Sequence, residues 1–305
     1  MVVSVRFWRN FAERHAARCG IDLAPAPPAY EAALPRRTES ANSPATPRQR
    51  DQKFFASFLQ KRRTFLWSFP MSLSGRVALI TGASRGIGRA AAIQLAAQGA
   101  HVVLVARTQG GLEEADDEIR AAGGTATLLP LDLKAADSID PLGPSLHARF
   151  GRLDILVHAA AVLGRLTPAG HLTPKDFNEC VAVNLTATYR LIRTLAPLLV
   201  ASDAGRAVFL TSGVAREPRA FWGAYGATKA GMENLVLSWA DEVEKTSLRV
   251  NVFDPGRTAT RMRAQAFPGE DPNTLPRPDE VARHLVPLCL VGFEGHGTLV
   301  RAAVG

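Results

Sequence analysis

Residues 225–235, YGATKAGMENL, place a tyrosine and a lysine four positions apart. On a helix such positions share one face, so Lys229 would stand one turn from Tyr225. A free phenol ionises at about pH 10. A neighbouring ammonium favours the phenolate and draws that value toward working pH, which makes the tyrosine a usable acid or base. Many helices carry such a pair without chemistry, so the spacing alone leaves both readings open. A second candidate is the turn TGASRGIGRA at 81–90. Gly82 permits a tight bend, and Gly86 and Gly88 let backbone and helix come close to a diphosphate. The N–H groups and dipole at a helix start attract such an anion. A plain glycine-rich turn is the alternative.

Elements of one kind must hold these groups. VALITG (77–82) is an apolar run ending in glycine, and GIGRAAAIQLAAQGA (86–100) is helical. HVVLVAR (101–107), TATLLPLDL (125–133), RLDILVHAA (152–160), RAVFLTS (206–212) and LRVNVFDPG (248–256) read as further strands. Helical stretches lie between them. GLEEADDEIRAAGG (111–124) is amphipathic and closed by glycines. Another helix opens at LTPKDF, with Thr173 as N-cap and Pro174 in the first position. Strands apolar on both faces that alternate with helices make a parallel sheet covered on both sides. The expected fold is α/β: a single Rossmann-type doubly wound domain over 71–305.

Residues 1–70 have a different texture. They hold twelve Lys and Arg against five Asp and Glu, and so carry +7 of the chain's net charge of +8. Their Pro, Ala, Ser and Arg content cannot bury enough apolar surface to order a chain. They read as a disordered extension, or as sequence upstream of a natural start at Met71. The remaining 235 residues are nearly neutral, which argues against nucleic acid as a partner. No stretch reaches the roughly 18 apolar residues that span a bilayer. Cys19, Cys180 and Cys289 are scattered, with no zinc-like spacing. That usage fits a reducing compartment, and a cytoplasmic protein without a metal is expected.

The spacing TGxxxGxG differs from the dinucleotide-binding G-x-G-x-x-G and resembles the short-chain dehydrogenase/reductase family. LDL (131–133), VNL (183–185), TSG (211–213), YGATK (225–229) and DPGRTAT (254–260) follow in that family's order and spacing. The resemblance covers 74–305, and ASDAGRAVFLTSGVAREPRAFWGAYGATK is most similar to its YciK-like branch. It implies a nicotinamide-dependent oxidoreductase acting on a small carbonyl or alcohol, with Asn184, Ser212, Tyr225 and Lys229 catalytic. Ser212 would hold the substrate oxygen, Asn184 would help to position Lys229 through a water, and Lys229 would also hold the nicotinamide ribose. Cofactor contacts are implied at Ser84, Ile87, Leu133 and Ala160, at Asp132 on the adenine edge, and at Pro255, Gly256, Thr258 and Thr260 around the carboxamide and phosphate. A homodimer or homotetramer is implied too, through the helices near 174–200 and 222–245. A non-catalytic nucleotide sensor or scaffold on the same fold is the competing function.

Two departures bear on the cofactor. HAAA (158–161) stands where the family usually has NNAG, so a link from side chain to sheet is expected to be lost and Ala161 to strain a glycine-type backbone. His158 then reads as a buried strand-end histidine. Where NAD-binding sheets end the second strand in an acid, this chain has Ala106 and then Arg107. Arg85, in the glycine turn, should face the same place, and the two guanidiniums suit a 2′-phosphate. NADP(H) is the cofactor expected. The segments 215–222 and 261–275 should border the substrate pocket. Their Arg216, Arg219, Arg261 and Arg263 suit either an anionic substrate or a solvated rim.

Overall fold

The computed structural model describes residues 72–303. The expectations for the N-terminal extension lie outside the described residues. Seven strands form one parallel sheet: β1 (Val77–Thr81), β2 (His101–Ala106), β3 (Thr125–Pro130), β4 (Ile155–His158), β5 (Arg206–Leu210), β6 (Arg249–Asp254) and β7 (Thr298–Arg301). Their order is β3-β2-β1-β4-β5-β6-β7. Strand order therefore reverses at β1, between β2 and β4, where ligands of such sheets bind beyond the carboxyl ends. The central strands are buried on both faces, as their unbroken apolar runs require.

Helices α1 (Gly86–Ala97), α2 (Gln109–Ala121), α3 (Leu142–Phe150), α4 (Pro174–Cys180), α5 (Ala187–Ala201), α6 (Gly223–Glu242), α7 (Arg261–Ala266) and α8 (Pro278–Leu285) connect and flank the strands. Buried Gly88, Ala91, Ala92, Leu95 and Ala96 mark one face of α1 at helical period. The small residues let this helix lie close to the sheet. On α5 the face is Ala187, Thr188, Leu191, Leu195 and Leu199. The cap expected for α4 forms, with the Thr173 hydroxyl accepting from Asp176 N at 3.1 Å. Between α4 and α5, Val181–Thr186 is a π-helix that carries Asn184. The seventh strand has no counterpart in the sequence reading.

Asp154, fully buried just before β4, fastens the amino ends of the strands. It accepts from Val77 N at 2.9 Å, Ser202 Oγ at 2.6 Å, Arg152 Nε at 2.8 Å and Arg76 Nη1 at 3.1 Å. Burial pushes this carboxyl's pKa up, but Arg152, Ser202, Val77 and Arg76 outweigh it and hold it below the usual value. A folded-state pKa below the unfolded one stabilises the fold above the carboxylate's ordinary value near 3.8, and the gain is lost as pH falls through the folded value. Asp154→Ala leaves Arg76 and Arg152 without this partner and is expected to lower stability by about 3 kcal/mol. Denaturant titration should give a lower midpoint at unchanged slope, and a loss within experimental error would remove Asp154 from this role.

Candidate active site

Because every strand is parallel, the segments after β1 to β6 emerge on one edge. The glycine turn after β1 has little room for side chains. Gly82 and Gly86 have φ of 71° and 58°, in the left-handed region. A Cβ on Gly88 would lie 2.5 Å from the Gly82 carbonyl oxygen, and one on Gly82 would lie 2.9 Å from Ala160 N. The turn and the end of β4 thus touch backbone to backbone. Arg85 is the N-cap of α1 but makes no side-chain cap, and the first turn carries no acid. Ser84 packs against Gly111 in α2, and Ile87 is half-buried beside it in the turn.

The other expected cofactor positions surround this turn. Arg85, Arg107 and Asp132 are exposed and Leu133 is buried. Asp132 accepts from Lys134 N at 3.0 Å, which fixes the turn after β3. After β6, Asp254 accepts from Gly256 N at 3.1 Å, and Thr258 donates to the Pro255 carbonyl at 3.3 Å. Thr260 caps α7 by accepting from Arg263 N at 3.2 Å. Its methyl lies 3.6 Å from where a Gly86 Cβ would stand, so the segment after β6 closes on the glycine turn.

Tyr225 and Lys229 lie on α6, both buried. Ser212, two residues beyond β5, lies beside Tyr225 and favours its ionised form. Lys229 Nζ donates to the Leu210 carbonyl at 2.7 Å and lies 6.0 Å from the Tyr225 ring centroid. Asn184 accepts from Val162 N and donates to Val162 O, each at 2.9 Å, and donates to Thr228 Oγ1 at 3.1 Å. Its amide thus ties the segment after β4 to the helix bearing Tyr225. Thr228 and Glu233 were missed in the sequence. For Glu233 a signal was available, since Tyr225, Lys229 and Glu233 recur at i, i+4 and i+8 along one face.

The expected downward shift of Tyr225 is reversed. Burial pushes its phenol well above the ordinary value, the neighbouring Ser212 hydroxyl opposes this, and Asp254 and Cys180 add to it. Leu163, Val214 and Trp222 enclose the ring, and the ammonium is directed at Leu210. Burial also lowers Lys229 to about 8, with Glu233 acting against it. Low-dielectric enclosure therefore disfavours the charged form of both groups.

Two consequences expected of HAAA come out differently. His158 is buried and its Nδ1 lies 2.8 Å from Thr81 Oγ1, so a side-chain link to the sheet is kept in another form. Burial, with Lys229 adding, lowers it to about 3, which leaves it neutral. Ala161 is not strained, because Phe221 is the one non-glycine residue with positive φ among those described. The four arginines also divide. Arg216 donates to Glu233 and Asp254, and Arg263 pairs with Glu270 at 2.6 Å. Only Arg219 and Arg261 remain exposed as a rim. Among the described residues, no group of His, Cys, Asp and Glu is placed to hold a metal ion, and no helix is long and apolar enough to cross a membrane.

Residues 76–271 match the family model of the short chain dehydrogenases. The chain belongs to the short-chain dehydrogenase family. It is 39% identical over 212 residues to the uncharacterized oxidoreductase YciK of Escherichia coli (strain K12), covering 68% of this chain and 84% of that protein. To the 3-oxoacyl-[acyl-carrier-protein] reductase FabG of Salmonella typhimurium it is 34% identical over 192 residues, covering 63% and 77%. A short chain dehydrogenase structure from Escherichia coli CFT073, complexed with NADPH, superposes with a TM-score of 0.73 at 36% identity, covering 77% of this chain and all of that one. The likeness to YciK agrees with the branch expected from residues 201–229. In this short-chain dehydrogenase the family's motifs fall on one edge of the sheet.

Proposed function

We propose that the protein is an NADP(H)-dependent oxidoreductase that interconverts a carbonyl compound and its alcohol. One observation carries the reading: Tyr225, flanked by Ser212 and one helical turn from Lys229, stands on the same sheet edge as a turn whose Gly82 and Gly88 positions leave no room for a side chain. That turn fits a diphosphate, since its backbone is open to close approach and the start of α1 carries no acid or side-chain cap. Gly82, Ser84, Gly86, Ile87 and Gly88 would hold the diphosphate end, and Arg85 and Arg107 the 2′-phosphate. Asp132 and Leu133 would meet the adenine, and Ala160, Pro255, Gly256, Thr258 and Thr260 the nicotinamide side. The NADPH complex of a relative supports this choice.

The chemistry supplied by the bound nicotinamide is a hydride at the carbonyl carbon. The chain's own part is the proton. Ser212 holds the substrate oxygen where negative charge develops. Tyr225, kept protonated by its burial, delivers its phenolic proton to that oxygen. The Lys229 ammonium stabilises the phenolate left behind. Asn184 holds the segment after β4 against Thr228 and so fixes α6 beneath the substrate.

Lys229 sets a pH dependence. With its value lowered to about 8, it loses its charge as pH rises through that point, and the phenolate loses its support. The reductive kcat/KM is expected to fall above about pH 8. A profile flat across this range would separate Lys229 from the proton transfer. The same reading includes self-association, since Phe177 and Tyr189 on α4 and α5 are exposed at 41% and 49%. Sedimentation should give a dimer or tetramer; a monomer at every concentration would exclude it.

A further inference from the structure

The wall around Tyr225 is apolar and built from three segments. Leu163, Val214 and Tyr225 form a small buried cluster, with Leu166, Trp222, Met262 and Ala266 packed against it. The Trp222 ring centroid lies 5.9 Å from that of Tyr225 and 5.8 Å from that of Phe267. Two of the four arginines on these segments, Arg216 and Arg263, are already engaged, and the other two, Arg219 and Arg261, stand exposed at the rim. Arg263 stacks on Phe267 at 3.8 Å while paired with Glu270, and Arg216 is held by Glu233 and Asp254. A carboxylate or phosphate placed against the wall would lose water, and the cations left unpaired, Arg219 and Arg261, are exposed, where solvent screening makes a charge pair worth little.

Phe221 adds a second, independent observation. Its φ of 74° lies in the left-handed region that favours glycine. Its side chain packs little, since the residue is 55% exposed. Its carbonyl accepts from Thr167 N at 3.1 Å, which ties this bend to the segment after β4. An unfavourable backbone kept for an exposed ring points to a ring that is used.

We infer that the substrate presents its carbonyl between uncharged, apolar groups, aryl or branched alkyl, and that Phe221 covers them beside Trp222. This rests on the oxidoreductase reading above and narrows it, because the anionic substrate allowed by the arginine count is disfavoured.

Acetophenone and its para-carboxylate test the inference, with the para-methyl ester, uncharged but no smaller than the carboxylate, separating charge from size. Calorimetric titration of the full chain saturated with NADP+ should give at least about tenfold tighter binding of acetophenone and of the ester than of the carboxylate, and kcat/KM with NADPH should follow the same order. Phe221→Gly should raise KM for acetophenone about tenfold while the thermal midpoint stays the same or rises, because glycine accepts this backbone. Binding of the carboxylate as tight as that of the ester or tighter, or no binding of any of the three, overturns the inference. So does a Phe221→Gly variant with unchanged KM. Selective binding with no NADPH oxidation by any carbonyl compound would instead sink the oxidoreductase reading and leave the apolar pocket standing.

Discussion

Tyr225→Phe is expected to lower turnover about 10²–10⁴-fold and to leave NADPH affinity close to that of the wild type. The variant keeps the ring that packs against Leu163, Val214 and Trp222 and loses only the hydroxyl beside Ser212. Loss of one hydroxyl should change stability by no more than about one hydrogen bond, about 1 kcal/mol, so the loss of rate would not come from unfolding. Steady-state assay of a reduced carbonyl, with a parallel NADPH titration, reads both quantities. Turnover within a few-fold of the wild type would remove Tyr225 from proton transfer. A wild type that binds NADPH but reduces nothing would favour the sensor or scaffold reading.

Ala106→Asp/Arg107→Leu is expected to abolish the preference for NADPH over NADH. Strand β2 ends at Ala106, whose carbonyl accepts from Leu131 N at 2.9 Å, so Arg107 leaves the sheet from a fixed point. No carboxylate stands at Ala106 to hold a ribose diol or repel a phosphate. One charge pair at 4 Å is worth about 4 kcal/mol at an effective dielectric near 20. Arg85 and Arg107 are exposed, and solvent screening reduces this to roughly 1–3 kcal/mol for the site. That corresponds to about 5–150-fold in favour of NADP(H). Equal wild-type affinities, or a double variant that does not shift toward NADH, would falsify the assignment.

The layout of the sheet and the glycine turn was legible in the sequence because local signals carry it. Apolar runs such as VALIT and HVVLVA are closed by glycine or followed by a helical period. Strand β7 was not legible. Its four residues, TLVR, bury only Val300 fully at the sheet edge and give no apolar run. The motif residues were found, but their electrostatics were not. The pKa of Tyr225 depends on what encloses it, and that enclosure comes from segments after three different strands. Likewise Arg216 finds its acids 17 and 38 residues away, so no local pattern marks it as engaged.

The Asp154 hub lies at the amino ends of the strands, and the site lies beyond their carboxyl ends. Strand β1 between them has five residues, or about 17 Å at roughly 3.3 Å per residue. Sites so far apart with no shared partner combine additively. The sheet thus has two poles that can change independently, one setting how long the fold survives and the other what it converts. Changes that strengthen the amino pole should raise tolerance to heat or acid without altering specificity. That tolerance would in turn offset the cost of substitutions at the catalytic pole, where a new substrate preference would have to arise.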